Sequence, residues 1–267
     1  MYRTSRRALL RSSSFALLAS SLWPGRLFAQ QANAKTLQFV IVNDLHYIDD
    51  ACGAYFAKLA AHIKALPDVT LVGVFLAGDL ADHGKAEEYA GLKSALAGIG
   101  LPLWAVPGNH DFVSTTSCEH YDAVFPRSHN RVMQQEGYQI LLLDTTQNTQ
   151  WKGTKIAADT LAFVEDRSLE KGKPTILITH FPFNPKVEST PTNAEALLDR
   201  LKEHNLIGVF GGHYHGYTTC DRGAYSCVTN RCCSLKRNNH DGTKEKGYFV
   251  CTAAEGKVTA KFVEFTG

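Results

Sequence analysis

Residues Ile207–Tyr217 read IGVFGGHYHGY, an apolar run that stops at two glycines and is followed by two histidines with one tyrosine between them. Side chains two apart on extended backbone share a face, so the spacing predicts that His213 and His215 present both imidazoles to one site. On its own the pattern also fits two polar residues at the end of a buried strand. The rest of the chain decides between these readings.

Five other short apolar runs resemble the first half of that stretch. They are Thr36–Val42, Leu71–Ala77, Leu101–Val106, Tyr138–Asp144 and Thr175–Thr179. Nearly continuous Val, Ile, Leu and Phe suits strands buried on both faces. Amphipathic stretches lie between them, at Ala54–Leu66, Ala86–Ala97, Ala158–Glu170 and Asn193–His204. The last opens with TNAE, where Thr192 and Glu195 are spaced for a capping box. Strands alternating with helices predict an α/β fold. Beyond His215 the chain turns β-rich, and KGYFVCTA and KVTAKFVEF read as a hairpin around EGK. A length of 267 residues suits one domain.

Residues 1–34 are read separately, as a leader. They carry the arginine pair Arg6 and Arg7, an apolar stretch from Phe15 to Leu22, and cleavage options after Ala29 or Ala34. That stretch is far short of the roughly 20 residues a spanning helix needs. SRRALLR resembles a twin-arginine signal, which implies engagement of the twin-arginine translocation machinery and an exported, periplasmic or secreted protein with no stable membrane insertion after cleavage. The domain is then 35–267. The leader holds five arginines and no acidic residue, which leaves 23 basic against 26 acidic side chains, a net charge of −3. Such a body has no basic footprint for duplex nucleic acid. Seven cysteines are present, and Cys220, Cys227, Cys232 and Cys233 fall close together without the paired spacing of a zinc knuckle, so a disulfide or buried thiols are expected.

Polar residues gather where the strands end, which is where parallel α/β sheets carry their functional groups. NDLH supplies Asp44 and His46; GDLADHG supplies Asp79, Asp82 and His83; PGNHD supplies Asn109, His110 and Asp111; ITHFPF supplies His180; and GGHYHG supplies His213 and His215. A lone strand-end Asp often caps a helix, and a lone His is often an ordinary surface residue. Five such ends in one chain are hard to assign to coincidence. Carboxylates, imidazoles and one amide oxygen form a donor set suited to a pair of cations bridged by a carboxylate.

The ordered series D-x-H, G-D-x-x-D-x-G, G-N-H-D, H and G-H-x-H resembles the calcineurin-like metallophosphoesterase superfamily over residues 36 to about 217. The resemblance implies a four-layer α/β/β/α sandwich of two mixed sheets flanked by helices. It further implies that Asp44, His46 and His215 hold one metal, that Asn109, His180 and His213 hold a second, and that Asp79 bridges the two. The ions would be divalent or trivalent manganese, iron or zinc. His110 matches a non-ligand histidine that protonates the leaving oxygen or stabilises developing charge, and Asp82 matches the carboxylate that orients it. The activity implied is hydrolysis by a hydroxide bridging the metals.

Departures narrow the branch. His83 stands where the Ser/Thr protein phosphatases carry a phosphate-gripping arginine. Asp82 stands where purple acid phosphatases carry a tyrosine ligand, so a ferric–tyrosinate centre is not expected. The pattern is most similar to compact bacterial cyclic-nucleotide phosphodiesterases, which implies small phosphodiester substrates. A phosphomonoesterase on the same site is the alternative, and an exported metal-binding protein without turnover is a third reading. Tyr47, His83, Phe181, Phe183 and Tyr214 flank the ligands and are candidates for substrate contact, while His62, His120, His129, His204 and His240 read as surface residues.

Overall fold

The computed structural model describes residues 35–267 apart from 68, 167 and 168, so the leader expected at 1–34 lies outside the described residues. Eleven strands among them form two mixed sheets. The first has the order β11-β10-β1-β2-β3, built from β1 (Leu37–Val42), β2 (Leu71–Ala77), β3 (Leu103–Val106), β10 (Gly247–Ala254) and β11 (Lys257–Glu264). The second has the order β4-β5-β6-β7-β9-β8, built from β4 (Asn130–Gln135), β5 (Tyr138–Leu143), β6 (Thr175–Ile178), β7 (Leu206–Gly211), β8 (Thr218–Asp221) and β9 (Ser226–Thr229). β1, β2 and β3 run parallel to one another, as do β5, β6, β7 and β9, while hairpins add antiparallel edges.

Alternation along the strands builds three apolar layers. In β1, Leu37, Phe39 and Ile41 point between the sheets, where they meet Ile140 and Leu142 of β5. Val40 and Val42 point the other way, onto helices α1 (Asp50–Lys64) and α2 (Ala86–Leu96). In β5 the intervening Leu141 and Leu143 face α4 (Ala158–Phe163) and α5 (Ala194–Arg200). A period of two therefore sends one strand into two cores. The result is the α/β/β/α order expected, in one domain.

Several elements differ from expectation for local reasons. Helix α1 starts four residues early because the Asp49 carboxylate accepts the Cys52 N–H and caps it. Helices α4 and α5 are shorter than their amphipathic patterns. The expected capping box at α5 does not form: the Thr192 hydroxyl donates to the Thr154 carbonyl, and Asn193 exchanges two hydrogen bonds with the Ile156 backbone, tying together the segments that precede α4 and α5. Strand β4 and the short helix α3 (Glu119–Val124) were not legible. β4 is a half-buried polar edge strand turned into β5 by Glu136 and Gly137 at φ 50° and 90°. No disulfide occurs among the described residues, and Cys227, Cys232 and Cys233 are buried thiols. His204 is also buried rather than exposed. No described helix is long and apolar enough to cross a membrane.

Candidate metal centre

The carboxyl ends of β1, β2, β6 and β7 and the loop after β3 meet at one edge of the sandwich. Asp44, His46, Asp79, Asn109, His180 and His215 are all buried there, and His213 is half-buried. Two groups of donor atoms result: Asp44, His46, Asp79 and His215 in one, and Asp79, His180 and His213 in the other, with all atoms of a group within 4.8 Å of one another. Asp79 belongs to both. Its Oδ2 lies 3.6 Å from His46 Nε2 and its Oδ1 lies 3.3 Å from His180 Nε2. The Asn109 amide oxygen joins the second group, 3.3 Å from His180 Nε2.

Each imidazole is pinned through one nitrogen so that the other points inward. His46 Nδ1 is 2.8 Å from the Asp82 carboxylate, His180 Nδ1 is 2.9 Å from the Ala77 carbonyl, and His213 Nε2 is 2.7 Å from the Trp151 carbonyl. His215 Nδ1 faces the Asn238 carbonyl at 3.3 Å. An oxygen acceptor fixes the N–H on that nitrogen and leaves the lone pair on the other. The inward nitrogens then crowd together: His46 Nε2 is 3.0 Å from His215 Nε2, and His213 Nδ1 is 3.2 Å from His180 Nε2. Lone pairs at that separation, beside two buried carboxylates, fit cations.

Without a cation, protons supply the missing positive charge. Burial works against ionising Asp44, but the charge of His215 outweighs it and holds the carboxyl down to about 2. Burial likewise opposes a charged His180, yet Asp79 beside it raises the ring to about 9. At His213 burial, followed by the neighbouring His180 charge, outweighs the pull of Asp79 and Asp44 and lowers the ring to about 4, so it offers a neutral ring. The centre is therefore electrostatically matched to cations that displace protons.

The spacing argument for His213 and His215 needs correction. Strand β7 ends at Gly211, and both histidines sit on a loop with φ of 68° and 52°, not on extended backbone. The left-handed turns send them to different groups. Asp44, His46 and Asp79 have φ of 53°, 48° and 52°, so five of the seven donors occupy a region disfavoured for side-chain-bearing residues, at about 1–3 kcal/mol each. The chain turns sharply as soon as each strand ends, which brings donors from separate strands together.

Glycines make that closeness possible. A Cβ on Gly108 would lie 2.1 Å from Asp79 Oδ1 and 2.3 Å from its backbone nitrogen, and one on Gly78 would lie 2.3 Å from His180 Nδ1. Gly108→Ala is expected to destabilise the fold by about 3 kcal/mol, since backbone rather than a flexible side chain must move. Thermal unfolding checks this; an unchanged midpoint would mean that the two loops can separate freely. The same loops are held by Asp111, whose Oδ1 accepts from Leu80 and Ala81 N–H and the Tyr89 hydroxyl, and whose Oδ2 accepts from Gly108 N–H. Asp111 is thus occupied within the protein.

Asp82 and His110 meet through different atoms than the resemblance implies. The Asp82 carboxylate goes to His46 and to Arg237, which approaches at 2.5 and 3.0 Å. It is the Asp82 backbone carbonyl, 2.8 Å away, that accepts from His110 Nδ1, and the carboxylate is 3.9 Å from that nitrogen. His110 is left 32% exposed on the cleft wall with Nε2 unengaged. Its backbone N–H donates to Asp79 Oδ1 at 2.9 Å.

The candidates for substrate contact separate. Tyr214 lines the cleft. Tyr47 does not: it is buried in the core, stacked on Phe56, with its hydroxyl against Gly53 and Gly91. Phe181 and Phe183 are buried too, Phe181 lying under the His213 ring at 4.1 Å. His83 is held by Glu88 at 2.8 Å. Sequence reading missed Arg237, Trp151 and His240, all on the cleft wall. His240 stacks on His215 at 5.2 Å. Arg237 is 155 residues from Asp82 in sequence and belongs to no strand, so no periodic signal marks it.

Comparison with known proteins agrees with this architecture. A family model described as calcineurin-like phosphoesterase matches residues 37–217. A probable cyclic nucleotide phosphodiesterase of Synechococcus is 28% identical over 204 residues, covering 68% of this chain and 75% of that protein. The glycerophosphodiester phosphodiesterase GpdQ of Enterobacter lignolyticus is 26% identical over 171 residues, 58% of this chain and 59% of its own length. Among solved structures, a purple acid phosphatase from yellow lupin seeds superposes with a TM-score of 0.63 at 15% identity, covering 86% of this chain and 52% of that one. GAP50, the anchor in the inner membrane complex of Plasmodium, gives 0.61 at 14% identity, covering 86% and 84%. These two likenesses speak to fold alone. With a family model spanning well over half of its length and a buried Asp/His centre at the strand ends, this chain belongs to the calcineurin-like phosphoesterases.

Proposed function

We propose that the protein is a dinuclear metal-dependent phosphodiesterase acting on small phosphodiesters, cyclic nucleotides among them. The observation that carries the reading is the convergence of inward lone pairs into two groups that share Asp79. Asp44, His46 and His215 would hold one cation and Asn109, His180 and His213 the other. Cations held there would supply an activated water and would neutralise charge on the phosphoryl oxygens.

The chain's own residues do the rest. Asp79 holds both halves of the centre in register, one carboxylate oxygen to each. The Asp82 carboxylate fixes the His46 tautomer, and against the cost of burial the His46 hydrogen bond and then Arg237 keep that carboxylate ionised. His110, its Nδ1–H committed to the Asp82 carbonyl, directs Nε2 into the cleft, where it can protonate a leaving oxygen. The cleft, about 570 Å³, is large enough for a substrate with two ester groups.

Diester preference rests on the cations of the wall. Arg237 is committed to Asp82, and Lys236 pairs with Asp49 at 2.9 Å. Each already faces a carboxylate, which reduces the positive charge it offers to the second negative charge of a monoester dianion. After reconstitution with manganese, iron or zinc, bis-p-nitrophenyl phosphate is expected to be cleaved at least about tenfold faster than p-nitrophenyl phosphate, a difference of about 1.4 kcal/mol in the barrier. Faster monoester cleavage would replace the diesterase reading with the monoesterase one, and inactivity on both would leave a metal-binding protein.

A further inference from the structure

Beginning nine residues after Asn109, a second cluster combines a thiol, a carboxylate and an imidazole. Cys118 sits at the N-terminus of helix α3, Asp122 one turn along it, and His129 just before strand β4. Cys118 Sγ is 3.6 Å from His129 Nε2 and 3.5 Å from Asp122 Oδ2, and His129 Nε2 is 2.8 Å from Asp122 Oδ1. The opposite ring nitrogen, Nδ1, lies 2.6 Å from Asp144 Oδ2, and the other Asp144 oxygen accepts from the Thr146 N–H and hydroxyl. A carboxylate behind an imidazole fixes the ring with its far nitrogen toward the other donors, the arrangement usual behind metal-bound histidine.

From these contacts we infer a third cation site, a zinc-class centre of Cys118, Asp122 and His129 with Asp144 behind the histidine, which clips helix α3 to the start of β4. The distances carry the inference. Tetrahedral zinc, with bonds of about 2.3 Å to sulfur and about 2.0 Å to nitrogen and oxygen, places S···N and S···O edges at about 3.5 Å and the N···O edge at about 3.3 Å. Both sulfur edges already match within 0.1 Å. The oxygen at that distance from sulfur is Oδ2, so on binding the 2.8 Å contact of His129 Nε2 to the other oxygen, Oδ1, gives way to the metal. An ion pair of His129 with Asp122, the Cys118 thiol donating to Asp122 Oδ2, is the metal-free form of the same contacts. A thiolate selects zinc-like ions over calcium or magnesium, and the exposed side of Asp122 leaves water as the fourth ligand. Binding displaces the protons of the thiol and of His129 Nε2 to solvent.

The donors proposed for the catalytic centre include no sulfur, which separates the two sites spectroscopically. Titrating the full chain with cobalt(II) is expected to produce a thiolate-to-cobalt charge-transfer band in the near ultraviolet, with an amplitude at saturation that corresponds to one thiolate-bound ion per chain. Cys118→Ser removes the band, Cys220→Ser keeps it, and phosphodiesterase turnover persists in both manganese-loaded proteins. On the unmutated chain, zinc at about 100 times its Kd should slow alkylation of Cys118 by about 100-fold, and His129→Gln should abolish that protection. Absence of the band, its survival in Cys118→Ser, or alkylation of Cys118 unaffected by zinc would reduce the cluster to an ion pair beside a thiol.

Discussion

Asp79→Asn is expected to lower phosphoesterase turnover by about a thousandfold or more and to reduce the metal content of the reconstituted protein by at least one ion. Asp79 is the one carboxylate whose two oxygens face both donor groups, and it also receives the His110 backbone N–H. The amide is nearly isosteric, so the hydrogen bond to His110 can persist on its oxygen while the charge and the second acceptor are lost. Elemental analysis and steady-state kinetics on the same preparation check the two halves of the expectation. Full metal content with low turnover would place Asp79 in the chemistry but not in retention of the ions. Unchanged values for both would remove the shared carboxylate from the model.

His110→Ala separates binding from chemistry. His110 lines the cleft but belongs to neither donor group around Asp79, and its ring is held by a backbone carbonyl that no side-chain substitution removes. Metal content should stay as in the unmutated protein, and turnover should fall by about 10²–10⁴-fold. The loss should shrink for substrates whose leaving group is already acidic, because those need no proton from Nε2. A uniform loss across leaving groups would instead assign His110 to stabilising charge on the phosphoryl oxygens. Loss of metal along with turnover would show that it supports the centre indirectly.

The fold was legible because burial writes itself into composition. Strands β1, β2, β3, β5, β6 and β7 are largely apolar, since alternate residues enter two different cores. β4 escaped because an edge strand keeps one side in water and carries Asn, Arg and Gln. The donors were legible because each follows such a strand within a few residues. What no local pattern contained was how the backbone leaves the strands. Reading His213 and His215 as extended gave one site for the pair, whereas their left-handed turns direct them to separate groups. The same blindness applies to Asp82, whose side chain and carbonyl serve different histidines, and to Arg237, which reaches it from a loop with no periodicity at all.

Left-handed backbone at Asp44, His46, Asp79, His213 and His215 also limits what can replace them. Asp, Asn and His enter that region several times more readily than other side-chain-bearing residues, while β-branched and bulky residues are nearly excluded. The residue types that can ligate are therefore those that the turn itself accepts. Most substitutions at these five positions lose twice, once as ligand and once as turn. Drift toward an inert but stable relative of this protein is then narrowed to exchanges among glycine, Asn, Asp and His, and a family built this way can shed its ions while its loops still remember where they were.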